Sequence, residues 1–386
     1  MSADPTPFEI AIEEHELEIL EDRLAVTRWP DAVTDDWGDG TDLAWLRDLC
    51  AWWGEGFDWR AQEADLNRFP QFLWTDDGDP DLGAIHFLHV RSPHADAAPL
   101  LLVHGWPGSF VEFRHCIDPL SDPTRHGGRA EDAFHVVVPS LPGYGFSEAP
   151  KRHGVNGRRV AECFARLMAR LGYISYFAQG GDWGSHVCTW LADRDPACAG
   201  IHLNLVFARR PRDGDPFEGV SAEERARLAA GATRVRDGTA YQEIQGTRPQ
   251  TLGYGLTDSP AGLAAWIGEK FHAWSQHDGD LFEAVSRDDL LTNLSVYWFT
   301  RTATSAARFY YEHRHHAEDP PVPPRIDTPT AVAVFPGELY LPPRAWVEQQ
   351  YAVHHWTVQA RGGHFAALEA PEALVADVRA AFGTLR

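Results

Sequence analysis

The feature that most constrains this chain is a series of short, almost wholly apolar segments separated by sequence of helical period. LLLV at 100–103, HVVV at 135–138, ISYFA at 174–178 and GIHLNL at 200–205 are too short for buried helices and lack the alternation of a one-sided sheet. Runs of this kind suit strands covered on both faces, as in a parallel sheet flanked by helices. Between two of them, Val160, Cys163, Phe164, Leu167 and Leu171 recur at helical spacing, which supplies the crossover that parallel strands need. From about 207 to 320 the strand pattern stops and helical, aromatic-rich sequence replaces it, before AVAVF at 331–335 and HHWTV at 354–358 restore it. The expectation is an α/β fold with a mostly parallel, doubly wound sheet and a helical cap inserted late.

The 386 residues exceed one simple domain but fit one core with added segments. The expected division is an N-terminal extension over 1–95 wrapping core and cap, core over 96–206, helical cap over 207–320 and the rest of the core over 321–386. Residues 1–95 read as helix-period stretches, such as 19–26, separated by loops. There is no internal repeat, and the single low-complexity tract is the PPVPP loop at 320–324. Fifty-six acidic against 34 basic residues give a formal charge of -22, which repels phosphate backbones and anionic headgroups and disfavours nucleic-acid and membrane partners. The five cysteines form no C-x-x-C pair and are odd in number, so reduced structural thiols are expected. The N-terminus lacks a basic start followed by an apolar stretch, and no apolar run approaches the roughly 18 residues of a membrane span. A cytoplasmic location follows as the expectation.

After ISYFA comes Gln179-Gly180-Gly181-Asp182-Trp183-Gly184-Ser185, then a helix-like HVCTWLADRDP. Small residues at 180, 181 and 184 are what a sharp strand-to-helix turn requires, and the order G-x-nucleophile-x-G is that of a nucleophile elbow. Ester hydrolases carry Ser at its centre, whereas here it is Asp182, and no G-x-S-x-G occurs elsewhere. A carboxylate attacks saturated carbon bearing a strained or good leaving group and forms an alkyl ester that water must then cleave. Taken alone, G-x-D-x-G is also an ordinary turn or helix cap.

His364, in Arg361-Gly362-Gly363-His364-Phe365 after the last strand-like run and before a helix starting near Pro371, is the candidate general base. Glu338, just beyond AVAVF, is the candidate orienting acid; Glu348 is the other acidic residue considered, in a helix-like stretch. The order Asp182, Glu338, His364 is nucleophile, acid, base. After LLLV, the turn His104-Gly105-Trp106-Pro107-Gly108-Ser109 stands where a backbone N–H completes an oxyanion hole, so the amides of Trp106 and Trp183 are the candidate donors. His104 reads as structural.

The segments FDWRAQEADLNRFPQF, HGWPGS, PSLPGYGFS, GGDWGS, TDSPAGLAAWIGEKF, FPGEL and GGHFAALE stand in the order seen in microsomal-type epoxide hydrolases, and the chain resembles that family over nearly its whole length. The resemblance implies the α/β-hydrolase fold with its N-terminal extension, and epoxide hydrolysis through an Asp ester. It also implies two cap tyrosines that activate the epoxide oxygen: Tyr241, before the IQGTRP stretch, and Tyr310 in ARFYYEH, with adjacent Tyr311 as the alternative. Partners would be an epoxide, bulky and apolar or aryl, and water, with no metal or organic cofactor and a homodimer as the base-rate assembly. Membrane-bound members of that family carry an N-terminal anchor, and none is expected for this chain. The rival readings are a haloalkane or haloacid dehalogenase of the same fold, with halide-binding donors in place of phenols, and a catalytically silent binding protein.

Overall fold

In the computed structural model, which describes residues 4–318 and 322–386, nine strands form one sheet. The Pro-rich loop and the expected boundary between insertion and core fall partly on residues 319–321, outside the described residues. The strands are β1 (Thr6–Phe8), β2 (Gln71–Thr75), β3 (Ala84–Val90), β4 (Ala98–Val103), β5 (Phe134–Pro139), β6 (Tyr176–Gly180), β7 (Cys198–Leu203), β8 (Ile326–Val334) and β9 (Tyr351–Val358). Their spatial order is β1-β2-β3-β5-β4-β6-β7-β8-β9. From β5 to β9 every pairing is parallel, and each of the six apolar runs falls wholly or mostly in one of these strands. Ile174 precedes β6 and is 93% exposed, because the chain turns at Gly172 before entering the sheet.

Residues 1–95 depart from the helix-and-loop expectation. Three helices, Glu14–Ala25, Leu43–Glu55 and Trp59–Asn67, are present, but β1, β2 and β3 extend the sheet antiparallel from β5. These strands are short, interleave polar residues, and are fixed by pairing across long separations such as Phe87 with Pro139, which local periodicity does not register.

Burial on both faces is visible in the period-2 sorting of side chains. Leu101, Val103, Val137 and Ala178 join one core, and Leu100, Leu102, Val136, Val138 and Phe177 the other. Between β7 and β8 the chain leaves the sheet for the helices Ala222–Gly238, Ala240–Thr247, Pro249–Asp258, Pro260–Trp274, Arg287–Thr300 and Ala303–His315. Ser221 and Glu224 close a capping box on the first, and Ser259 caps a later one with Pro260 in its first turn. Strands β5 and β6 lie on opposite sides of β4, so the order reverses there and a crevice opens at the carboxyl ends of β4 and β6. All five cysteines are buried and unpaired. No described helix is long and apolar enough to cross a membrane.

Candidate active site

The turn from β6 into the helix Asp182–Arg194 is built by close backbone approach. A Cβ on Gly184 would lie 1.9 Å from the Val103 carbonyl oxygen, and one on Gly180 2.4 Å from the Gly184 backbone. Asp182 is forced to φ 48°, a left-handed conformation that short polar residues tolerate best, and this lifts its carboxyl into the crevice. Val103 pairs with Gly180, so the turn after β4 emerges beside it. The Trp106 N–H donates to Asp182 Oδ1 at 2.8 Å, and the Trp183 N–H also stabilises the carboxylate. Burial nonetheless raises the Asp182 pKa, against the opposing pull of the His364 imidazole and of these two amides.

His364 Nε2 lies 3.6 Å from Asp182 Oδ2. Its Nδ1 meets Glu338 Oε1 at 2.9 Å, and Glu338 is fully buried on the turn after β8. Burial opposes the imidazolium, but Glu338, then Asp182 and Glu112, outweigh it and lift His364 to about 9. Glu348 is instead paired with Arg344 on the exposed face of the helix Arg344–Gln350. His104 is structural, as expected: its Nε2 accepts from the Leu141 N–H at 3.1 Å.

Two carboxylates not singled out from sequence complete this side. Glu112, on the turn after HGWPGS, shares with Asp182, His364, Gln179 and Asn204 a cavity of about 10 Å³, close to the space of one water. Burial pushes its pKa up to about 8, with His364 pulling down and Asp182 pushing further up. Its only sequence signal is a lone charge within the apolar run Phe110-Val111-Glu112-Phe113. Glu369 accepts from the Phe365 N–H at 2.9 Å and the Gln276 N–H at 2.7 Å, tying the His364 loop to the inserted helices. It lies in GGHFAALE, a segment recognisable in the sequence without a reason for its last residue.

The phenols come from the insertion. Tyr241 and Tyr310 are buried, and with Asp182, Trp183, His186, Phe207 and His313 they line a cavity of about 540 Å³. Tyr241 stacks on Trp106 at 4.9 Å between ring centres, and Tyr310 packs edge-on against Trp183 at 4.8 Å. Burial, reinforced by Asp182 at Tyr241 and by Tyr241 and then Asp182 at Tyr310, raises both pKa values and keeps the phenols protonated. Tyr311 turns away toward His153, His315 and His316. The seven positions expected from sequence thus converge on one crevice: a carboxylate with amide donors on one side, an imidazole–carboxylate pair on another and two protonated phenols across a cavity.

This fold and constellation define an α/β hydrolase with a carboxylate at its elbow. The family described as "Epoxide hydrolase N terminus" matches residues 5–113, and "alpha/beta hydrolase fold" matches 98–240. A homologue from Stigmatella aurantiaca (strain DW4/3-1), named as an epoxide hydrolase, is 49% identical over 386 residues, covering 99% of this chain and 85% of its own. Epoxide hydrolase 1 of Sus scrofa is 38% identical, over 98% of this chain and 88% of that one. The solved structure of Aspergillus niger epoxide hydrolase matches with a TM-score of 0.88 at 34% identity, covering 100% of this chain and 97% of that one. Juvenile hormone epoxide hydrolase from Bombyx mori gives 0.90 at 32%, over 100% and 95%. The chain belongs to the epoxide hydrolase family.

Proposed function

We propose that this chain converts a bulky apolar or aryl epoxide to a vicinal diol through an ester on Asp182. The observation carrying the proposal is that one crevice holds the Asp182 carboxylate, pinned by the Trp106 amide, and two protonated phenols facing it. Tyr241 and Tyr310 hydrogen-bond the epoxide oxygen while the Asp182 oxygen not held by Trp106 attacks a ring carbon from behind. The carbon–oxygen bond breaks, and a phenol protonates the alkoxide, a far stronger base than phenolate.

The ester removes the charge of Asp182, one of the groups holding His364 protonated. The imidazole pKa then falls, the imidazolium gives up its proton to solvent, and neutral His364, oriented by Glu338, can take a proton from water. A water between His364 and Glu112 is placed to attack the ester carbonyl, whose developing oxyanion would sit on the amides of Trp106 and Trp183. On collapse the imidazolium protonates the departing alkoxide to give the diol, and the proton of the added hydroxyl passes to the phenolate as the Asp182 carboxylate is restored. Residues 207–320 serve as a cap and 1–95 as an extension touching cap and core; the packing of helix Leu43–Glu55 on Pro260–Trp274 supports this. We further propose a cytoplasmic homodimer, on the reduced thiols and on the prevalence of two-fold assemblies.

Single-turnover hydrolysis of styrene oxide in oxygen-18 water tests the scheme. Unlabelled diol in the first turnover, with label appearing in the Asp182 peptide, is expected; label passing straight into the diol would overturn the ester. No turnover of epoxides, with release of halide from haloalkanes, would favour the dehalogenase reading, and inertness toward both the binding-protein reading.

A further inference from the structure

Away from the crevice, Glu312 and His316 project from the end of the helix Ala303–His315, one turn apart, toward His153 on the loop after β5. The Glu312 side chain is 5% exposed, yet among the described residues its ion-pair partners are imidazoles alone: His153 Nδ1 at 2.6 Å and His316 Nε2 at 3.9 Å. The Gly154 N–H donates to Glu312 Oε2 at 2.6 Å and fixes the carboxylate plane. A buried carboxylate with no permanent cation at hand is costly unless something positive accompanies it.

One nitrogen from each imidazole and one carboxylate oxygen all lie within 4.8 Å of one another. Tetrahedral zinc, with bonds of about 2.0–2.2 Å to nitrogen and oxygen, places its ligand atoms roughly 3.3 Å apart. The two imidazoles, 61% and 40% exposed, are free to make the small adjustment, while the buried Glu312 is the fixed point. The pairing of Glu312 and His316 at i and i+4 puts both on one face of the helix.

We propose that His153, Glu312 and His316 form a binding site for a zinc-class divalent cation, with water completing its coordination. The site joins a loop of the sheet core to the helix that carries Tyr310. Bound metal would therefore clasp this helix to the core, the Gly154 N–H acting as an outer partner that orients the carboxylate. The donor set, two nitrogens and one oxygen, suits Zn²⁺ or Co²⁺ over Mg²⁺ or Ca²⁺.

The test is titration of the chelator-treated full chain with Zn²⁺ and with Co²⁺, beside a His153→Gln/His316→Gln variant. In the unaltered chain we expect one equivalent bound at micromolar concentration, the intense visible bands of tetrahedral Co²⁺, and a Tm raised by a few degrees. In the variant that equivalent should weaken by about 100-fold or more, with turnover in chelator unchanged because neither histidine touches the crevice. Metal binding with equal affinity in both proteins would place the ion elsewhere, at Asp182 and His364 for instance, and overturn the proposal. Failure of Zn²⁺ to bind below about millimolar would reduce the cluster to a hydrogen-bonded contact and overturn it equally.

Discussion

The two halves of the crevice are held by different forces. On the core side, Asp182 is fixed by backbone: a positive φ, glycines without room for a Cβ, and amide donors on adjacent turns. On the cap side, Tyr241 and Tyr310 are fixed by ring packing against Trp106, Trp183 and each other. Backbone-held groups tolerate almost no movement. Packed aromatic rings can be exchanged for others of similar volume at modest cost. In the proposed scheme the core would supply charge and the cap proton donation and cavity shape, a division that would let substrate choice vary without disturbing the nucleophile.

The largest expected effect separates the two chemical steps. His364→Gln should leave ring opening by Asp182 in place but slow ester hydrolysis by about 10⁴-fold or more. The intact protein would then gain the mass of the epoxide substrate, seen by mass spectrometry after one equivalent. Asp182→Asn should form no adduct. An unmodified His364→Gln protein with normal turnover would break the assignment of steps to sides.

A smaller effect is expected across the cavity. Tyr241→Phe and Tyr310→Phe each keep the ring and its packing and remove one donor, so each should slow ring opening by roughly 10²-fold with little loss of stability. Their double variant should be slower still, while hydrolysis of an ester already formed stays unchanged. Rapid-quench measurement of the two steps decides the matter; equal slowing of both would mean that the phenols also act on the core side.

The same contrast explains what could be read in the sequence. The elbow, the Gly-Gly-His loop and the turn after β4 are local, each needing a few small residues beside one reactive group, so composition and spacing expose Asp182, His364 and Trp106. The tyrosines have no such signature. Tyr241 and Tyr310 stand in helices where an aromatic residue is ordinary packing, and only likeness to a family singles them out. Glu112 and Glu369 were hidden for another reason: their importance comes from burial beside groups distant in sequence, His364 and Gln276 among them. Strands β1 to β3 escaped notice in the same way, since their partners lie across the sheet.

Glu112 gives a smaller and sharper test through pH. Its pKa, raised from 4.5 to about 8, means it carries a proton near neutrality and can donate to the attacking water's oxygen while His364 accepts from it. His364, near 9 in the free protein, must be neutral to act as base, so the hydrolysis rate should climb with pH through a value below 9, because the ester has removed the charge of Asp182. Ring opening needs ionised Asp182, which rising pH only favours, and protonated phenols, whose pKa values burial raises, so it should hold level over the same range. Glu112→Gln should lower hydrolysis by about tenfold and, by deleting a carboxylate beside His364, move the ascending limb to lower pH. Stopped-flow tryptophan fluorescence across pH 6–10 reads both steps.

The smallest effect concerns the contact between the sides. Asn293, buried on the inserted helix Arg287–Thr300, donates from Nδ2 to the Pro107 carbonyl at 2.9 Å and accepts from Ser109 at 2.7 Å, while the Tyr297 hydroxyl donates to the Gly108 carbonyl at 2.9 Å. The cap thus holds the turn that presents the Trp106 amide. Asn293→Ala leaves a buried hydroxyl and a carbonyl short of partners, which costs about 1–3 kcal/mol of stability. If the cap also positions the amide, both chemical steps should fall together by a few fold at a temperature where the variant remains folded, since that N–H serves the attacking carboxylate and the later oxyanion alike. A fall in Tm with unchanged rates would show that backbone alone aims the amide, and that the cap contributes donors and cavity without steering the core.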